Sequence, residues 1–281
     1  MNFDIYSGIL AVLDSNRNSS EDHYEFKYTI SNEVSAELLD RYNLEKVAGE
    51  DTDISKIINI MNWLYNNTYH DGQYDNHIGF NVINLLQYSF SNGMDKGLNC
   101  SSLSTILTSC YLSLGYKAKT VFLMPLSPYD CDNHSVTTVF IPQINKWVLM
   151  DPTYNLFFHD DDSTMLSISE LRNILSKQES VQINNNAGYN GSEAKKSEIL
   201  EYYAKNLAYY YTYENGINTI DDYFGNRLIV VAPEGVNVQR VKLANIDYRI
   251  NLWGENEDMR KWKSLVFEEE YVYISKSAFE E

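Results

Sequence analysis

Residues 97–115 read GLNCSSLSTILTSCYLSLG and belong to the most informative part of the sequence. Its apolar residues recur every three or four positions, which puts them on one face of a helix. They are Leu103, Ile106, Leu107, Cys110 and Leu114. Gly115 follows where a glycine typically ends a helix. The spacing therefore predicts a buried helix that begins at about Cys100, directly after a short turn.

Three strand patterns follow this helix. Residues 117–124, 134–141 and 146–151 are rich in apolar and β-branched side chains. The segment 125–133 contains two prolines and is typical of a loop. The order of these elements predicts an α+β fold in which the helix packs on an antiparallel sheet.

Cys100 has the setting that a nucleophilic thiol requires. The unpaired N–H groups and the positive dipole end of a helix's first turn stabilise a thiolate, and the amide of Cys100 itself is available to an oxyanion. Cys110 lies farther along the apolar face, as an inert core cysteine does. Cys100 by itself is also compatible with a buried structural role. The choice between a structural and a catalytic role therefore depends on which other residues are predicted to lie near it.

His134 and Asp151 supply the two groups that such a cysteine needs. A thiolate nucleophile works with a base that becomes a proton donor, and a carboxylate fixes the imidazole tautomer. If the last two strands form a hairpin, a two-residue loop puts Asp151 opposite His134, and a four-residue loop puts it opposite Val136. The two side chains share one face of the sheet in either register. Each residue by itself is also compatible with a structural role, His134 at the start of a strand and Asp151 in a turn. Cys100, His134 and Asp151 in this arrangement together predict a catalytic site.

Four motifs in this order resemble those of the transglutaminase-like superfamily. They are GLNCSSL at 97–103, LGYKAKTV at 114–121, NHSV at 133–136 and KWVLMDPT at 146–153. The resemblance covers about residues 54–155 and implies a papain-like architecture, with Cys100 as nucleophile, His134 as base and Asp151 as the residue that orients the imidazole. Members of the superfamily act on amide bonds as transamidases, deamidases, peptidases or deglycosylating amidases. Many carry an aromatic residue two positions after the histidine, where this chain has Val136.

The resemblance also implies a second oxyanion donor upstream of the cysteine, usually on a Trp, Tyr or Gln. The candidates are Trp63, His70, Gln73 and His77. Core packing is the alternative role for Trp63. The run His70-Asp71-Gly72 resembles an element of bacterial relatives and predicts a bacterial-type member.

The loop that leads into His134 is predicted to form the rim of a substrate cleft. Tyr129 lies on it and is a candidate for contact with substrate. Asp130 and Asp132 are predicted to raise the pKa of His134 and to favour basic or neutral substrates over acidic ones.

The composition narrows the classes of function. The 281 residues carry 22 Lys and Arg against 39 Asp and Glu, and a net charge of −17 argues against binding to nucleic acid or anionic membrane surfaces.

No membrane span or signal peptide is expected, and three cysteines cannot form a disulfide framework, so a cytoplasmic location is predicted. The pair Cys131 and His134 lacks a second pair of zinc ligands, so neither a metal nor a cofactor is expected. The expected partner is a peptide or protein substrate, and the oligomeric state is left open.

Two regions are predicted along the chain. Residues 1–183 hold the core with its N-terminal helices, and residues 184–281 form a C-terminal extension of helix and strands packed on the core. An Asn- and Gly-rich segment at 184–191 is the predicted linker. After it come a Tyr-rich helix at about 193–211 and strands at about 227–232, 247–253 and 271–275.

The sequence thus predicts a cysteine-dependent hydrolase or acyltransferase that acts on amide bonds through a thioester. The amide bond that reacts is predicted to be a peptide bond, an isopeptide bond or the amide of a glutamine side chain. The predicted enzyme class is cysteine peptidase, amidase or transglutaminase-like enzyme. The alternative is a non-catalytic binding module that retains the fold.

Overall fold

The computed structural model describes residues 2–15, 23–73, 78, 81–214 and 227–281. The helices in these ranges are α1 (Phe3–Ser15), α2 (Asn32–Arg41), α3 (Leu44–Ala48), α4 (Asp53–Asn67), α5 (Val82–Asn92), α6 (Cys100–Ser113), α7 (Ile168–Lys177), α8 (Lys196–Asn206), α9 (Val238–Trp253), α10 (Glu257–Glu268) and α11 (Lys276–Phe279). The strands are β1 (Ala118–Met124), β2 (His134–Ile141), β3 (Lys146–Met150), β4 (Phe158–His159), β5 (Gln182–Ile183), β6 (Gly188–Tyr189), β7 (Ser192–Glu193), β8 (Tyr209–Tyr213), β9 (Arg227–Val231) and β10 (Glu270–Tyr273).

A six-stranded sheet in the order β10-β9-β8-β1-β2-β3 organises the described residues. Its neighbouring strands are antiparallel, except that β10 and β9 are parallel. Helix α6 packs against β1 and β2. The predicted α+β class, with the cysteine helix on an antiparallel-rich sheet, is confirmed.

Successive side chains of the central strands join two different apolar clusters, because strand residues alternate between the faces of a sheet. Phe122 of β1 belongs to the cluster that contains α4, α5 and α6. Its neighbours Val121 and Leu123 belong to the cluster that contains α7 and α8. Helices therefore cover the sheet on both faces.

Helix α6 is buried on all sides rather than along a single stripe, since every residue from Ser102 to Tyr111 is buried. Hydroxyl groups join α6 and β2 in both directions: Ser104 Oγ of the helix donates to the carbonyl of Ser135 at 2.8 Å, and Thr137 Oγ1 of the strand donates to the carbonyl of Ser104 at 2.8 Å. These bonds hold the N-terminal half of α6 against the start of β2, where His134 lies.

Two elements of the C-terminal part differ from the sequence prediction. The predicted strand at 247–253 is wrong, because these residues form the end of helix α9, which pairs with α10. Apolar and polar residues alternate there with a period of two, which imitates a half-buried strand. The predicted Tyr-rich helix ends at Asn206, and the tyrosines that follow form β8, a fully buried strand between β1 and β9.

The segment predicted as a linker packs against the core. Asn184 donates from Nδ2 to the carbonyl of Asn155 at 2.9 Å, and its Oδ1 accepts from the amide of Phe157 at 2.8 Å. A division of the chain at residue 183 stays a prediction. Residues beyond that point supply β8, β9 and β10, half of the six-stranded sheet.

No helix in the described part of the chain is long and apolar enough to cross a membrane. All three cysteines are free thiols. Among the described residues, no cluster of three or more His, Cys, Asp or Glu side chains is arranged to hold a metal ion.

Lys119 of β1 is buried in an aromatic cage. Its Nζ lies 3.7 Å from the ring centroid of Phe26, 4.2 Å from that of Phe279 and 4.4 Å from that of Trp147. The ammonium also donates to the carbonyl of Phe279, next to the chain's end. Burial lowers the pKa of Lys119 well below its usual value.

Replacing Lys119 with Met is expected to stabilise the fold at neutral pH by about 1 kcal/mol or more, because methionine packs in the apolar cage without the cost of burying an amine that is charged in the unfolded chain. Lys119 has a lowered pKa in the folded protein and an ordinary pKa of about 10.4 in the unfolded chain. At a pH between these two values the unfolded chain binds more protons than the folded protein. The free energy of unfolding of the wild type therefore rises with pH in this range. The advantage of K119M should therefore shrink as the pH rises from about 7 to about 10. Urea unfolding of both proteins measures it, and an advantage that stays constant or grows would contradict the expectation.

Candidate active site

Cys100 is the first residue of α6 and is partly exposed. Asn99 caps the helix, since its Oδ1 accepts from the amide of Ser102 at 2.8 Å. The other first-turn amides, including that of Cys100, have no partner within the helix, because an α-helix leaves its first N–H groups unpaired. The thiol thus stands at the positive end of a buried helix.

His134, the first residue of β2, is 2% exposed, and Asp151, just after β3, is fully buried. The Nε2 atom of His134 lies 2.7 Å from Oδ2 of Asp151. Strands β2 and β3 pair Thr137 with Met150, and continuing this register puts Asp151 opposite Val136. This is the four-residue-loop alternative of the two predicted registers.

The titration of Cys100 and that of His134 are shifted in opposite directions. Burial alone would raise the pKa of the Cys100 thiol, but hydrogen bonds and charge interactions with His134 and His70 outweigh burial and lower this pKa to about 6. Burial alone would lower the pKa of His134, but the negative charge and hydrogen bond of Asp151, together with Cys100, raise it to about 10. Both shifts favour a thiolate beside an imidazolium at neutral pH. Burial instead raises the pKa of the core thiol Cys110.

The carboxylate of Asp151 accepts three hydrogen bonds. Besides His134, the hydroxyl of Tyr203 donates to Oδ2 at 2.6 Å, and the amide of Thr153 donates to Oδ1 at 2.9 Å. These three bonds offset the free-energy cost of burying the carboxylate. Tyr203 carries no signal in the sequence that predicts this role, because it lies on α8, far along the chain from the motifs that contain Cys100, His134 and Asp151.

Four hydrogen bonds hold the backbone around His70, two to Leu98 through its neighbours Tyr69 and Asp71 and two to Asn190 through His70 itself. Leu98 donates its amide to the carbonyl of Tyr69 at 2.8 Å, and its carbonyl accepts from the amide of Asp71 at 2.9 Å. On the other side, Asn190 accepts from the amide of His70 at 2.8 Å and donates to its carbonyl at 3.0 Å. The backbone around His70 is thus hydrogen-bonded on one side to the turn before α6 and on the other side to the β6–β7 hairpin.

The imidazole of His70 contacts the hydroxyl of Tyr189 through Nδ1 and interacts with Cys100. Nδ1 lies 2.9 Å from the hydroxyl of Tyr189. Nε2 is buried and has no standard hydrogen bond among the described residues, but it is near enough to Cys100 to lower the pKa of the thiol. Of the predicted oxyanion donors that the structure describes, His70 is the one beside Cys100.

The other predicted donors lie elsewhere. Trp63 packs its ring 5.9 Å from the rings of Tyr42 and Phe90, which is the core role that the sequence left open. Gln73 is exposed, in a turn that its amide closes on Asp71 Oδ1 at 2.9 Å. His77 lies outside the described residues.

Tyr129 is exposed on the loop before β2 and contacts helix α9. Its side chain is 67% exposed, and its ring lies 5.3 Å from that of Tyr248 on α9. Together with Trp253 and Leu252 it lines an open groove of about 680 Å³ behind the loop. A role for Tyr129 in substrate contact stays a prediction.

The two aspartates of this loop are ion-paired with a lysine of α8. Lys205 Nζ lies 3.0 Å from Asp130 Oδ2 and 2.8 Å from Asp132 Oδ2. Burial lowers the pKa of His134, and Asp151 and Cys100 are the main groups that raise it, so a contribution from Asp130 and Asp132 stays a prediction. Pairing with Lys205 offsets part of their charge.

Three tyrosines that the sequence analysis did not identify surround the thiol. The ring of Tyr202 lies 5.2 Å from that of His134, and Tyr154 lies 5.9 Å from the same ring. The ring centroid of Tyr189 lies 5.4 Å from that of Tyr154 and 5.4 Å from that of His70. Burial raises the pKa of each of the three, and the nearby Cys100 raises it further. They come from three separate segments, which no local pattern connects.

Comparison with known proteins agrees with this architecture. Residues 40–152 match the model of the transglutaminase-like superfamily, a range that contains Cys100, His134 and Asp151. This match confirms, over residues 40–152, the resemblance to the superfamily that the motifs indicated.

Among solved structures, the chain is similar to a candidate cysteine protease from Cytophaga hutchinsonii. The two chains share 16% identity with a TM-score of 0.33, and the match covers 42% of this chain and 37% of that one. This chain therefore spans little more than a third of that protein's length. A search of curated proteins finds no match.

Proposed function

We propose that the protein is a cysteine-dependent enzyme that cleaves or transfers the acyl group of amide bonds. The observation that carries this proposal is the arrangement of Cys100 at a helix N-terminus, between His70 and a buried His134–Asp151 pair. A binding module has no need of a cysteine thiol whose pKa is lowered to about 6.

In the proposed first step, the Cys100 thiolate attacks the amide carbonyl, forming a carbon–sulfur bond while an electron pair moves to the oxygen. The amide of Cys100 and the Nε2–H of His70 are the proposed donors to this oxyanion. A neutral His70 carries its proton on Nε2 if the hydroxyl of Tyr189 donates to Nδ1, as their 2.9 Å separation allows.

In the second step the carbon–nitrogen bond breaks, and His134 gives its proton to the departing amine. A thioester on Cys100 remains. Water or a second amine then attacks the thioester, and His134 accepts the proton from that nucleophile. We propose hydrolysis as the main outcome because water is always present, and transamidation as the alternative.

The proposed substrate is a peptide or protein. Asp71, Asp130 and Asp132 lie near the site, and Lys205 pairs with the last two. A preference for basic or neutral over acidic substrates is therefore proposed to be modest.

The proposal is tested by alkylation followed by mass spectrometry. Iodoacetamide at about pH 7 should modify Cys100 at least about tenfold faster than Cys131, because the lowered pKa of Cys100 keeps this thiol mainly as thiolate at that pH. The same protein is then incubated with a peptide library containing internal Lys, Gln and Glu residues, with and without hydroxylamine. Cleaved or deamidated products indicate hydrolysis, and hydroxamates indicate acyl transfer.

Two variants control this experiment. Cys100→Ala should abolish product formation and the fast labelling, whereas Cys131→Ala, which removes the other partly exposed thiol, should leave both intact. Equal and slow labelling of Cys100 and Cys131, with no product from any peptide, would favour the non-catalytic binding module.

A further inference from the structure

Helix α8 lies outside the segment that matches the superfamily, and it packs directly on the site. Its consecutive residues Tyr202 and Tyr203 bring their rings to 5.2 Å and 5.7 Å from that of His134. The hydroxyl of Tyr202 donates to the carbonyl of Asn133 at 3.2 Å. One turn of this helix therefore contacts the base and the residue before it.

Tyr203 contacts the site through its hydroxyl group. This O–H donates to Oδ2 of Asp151, the same oxygen that His134 contacts. The whole Tyr203 side chain is buried, so this hydrogen bond is shielded from bulk solvent. The hydroxyl therefore restricts the rotation of the carboxylate and stabilises its negative charge.

We propose that Tyr203 is a positioning residue, which acts through Asp151 to hold His134 against Cys100. The proposal rests on the proposed function of this site. Without the hydroxyl, the buried carboxylate would keep two donors instead of three, and the charged arrangement of carboxylate, imidazolium and thiolate would be less favourable. Tyr203 thereby adds to the site a group that lies beyond the matched segment.

The ring of Tyr203 is held independently of its hydroxyl. It packs edge-on against Phe158 with centroids 4.7 Å apart and belongs to the apolar cluster under the sheet. Phenylalanine at this position keeps these contacts. Tyr203→Phe therefore removes one hydrogen bond and leaves the packing in place.

The test measures the rate of iodoacetamide labelling of Cys100 against pH in wild type and Y203F. The pH at which labelling begins should rise by about half a unit or more in the variant, because the thiolate loses part of its support. Turnover of any peptide found to be a substrate should fall about tenfold in kcat with KM unchanged, as expected when one bond to a charged group is lost.

The matched control is Tyr111→Phe. Tyr111 is also fully buried and donates a hydrogen bond, to the carbonyl of Ile57 at 2.9 Å, but it lies eleven residues along α6 from Cys100. Y111F should cost similar stability and leave the pH profile of labelling unchanged. In an Asp151→Asn background, Y203F should cause no further shift, because its effect passes through the carboxylate.

The outcomes separate the two proposals. An unchanged or lowered labelling pH in Y203F, or the same shift in Y111F, would overturn the role of Tyr203. Labelling needs no substrate, so a shift confined to Y203F supports this role even if no peptide is turned over. Loss of the proposed function would appear instead as absent turnover in wild type.

Discussion

His134→Ala is expected to lower turnover by about a thousandfold or more and to remove the fast alkylation of Cys100 at neutral pH. The variant loses both the base of the proposed reaction and the cation that stabilises the thiolate. In wild type, Cys100 becomes reactive as the pH rises through about 6, where its lowered pKa lies. In the variant, the onset should move towards about 8.5, the value of an ordinary thiol.

The loss of turnover at high pH tests the same pair of residues, Cys100 and His134. The pKa of His134 is raised to about 10, so its positive charge persists from neutral pH to that value and is lost above it. Turnover that needs a protonated His134 to release the amine should therefore fall as the pH rises through about 10. A pH–rate profile of wild type measures this limb, and a rate that stays constant well above that pH would contradict the proton-donor role.

His159→Ala is the control for the loss of an imidazole. His159 is partly buried on β4, and its Nδ1 lies 2.9 Å from the carbonyl of Asp160. This variant should label and turn over like wild type. If H134A kept the low onset of labelling, His70 alone would support the thiolate, and the Cys100–His134 pair would lose its proposed role.

The sequence was sufficient for the part of the site that lies within one continuous unit. Cys100 follows a turn and begins a periodic helix, while His134 and Asp151 bracket a hairpin whose register permits two solutions. Local patterns determine all of these features, because each depends on residues a few positions apart. The choice between the two hairpin registers required the structure, since it depends on the conformation of residues 142–145.

The remaining groups of the site come from distant segments. Tyr203 reaches Asp151 across 52 residues, and Asn190 reaches His70 across 120. In the sequence these residues belong to a Tyr-rich helix and an Asn- and Gly-rich run, compositions that also suit a surface helix and a linker. Their contacts depend on tertiary packing, which one sequence without an alignment does not reveal. The same limit explains why alternation in α9 predicted a strand.

Gly97→Ala is expected to destabilise the fold by about 2–3 kcal/mol and to separate His70 from Cys100. A Cβ at position 97 would lie 2.7 Å from the Cβ and the amide nitrogen of Asp71 and 2.7 Å from the carbonyl oxygen of Tyr69. Two of these three atoms are backbone, so no side-chain rotation relieves the overlap.

The backbone atoms that would be displaced are those that form the bridge to Leu98. Opening this bridge moves the histidine away from the thiol, so the pH at which iodoacetamide labels Cys100 should rise, together with a lower urea midpoint. Gly72→Ala is the matched control, because its Cβ would meet the nearest atom, His70 Cε1, at an ordinary 3.6 Å. G72A should change stability by less than about 1 kcal/mol and leave the labelling profile in place. Equal effects of the two substitutions would show that close packing at Gly97 does not position His70, and the Nε2–H of His70 would lose its place as the proposed second oxyanion donor.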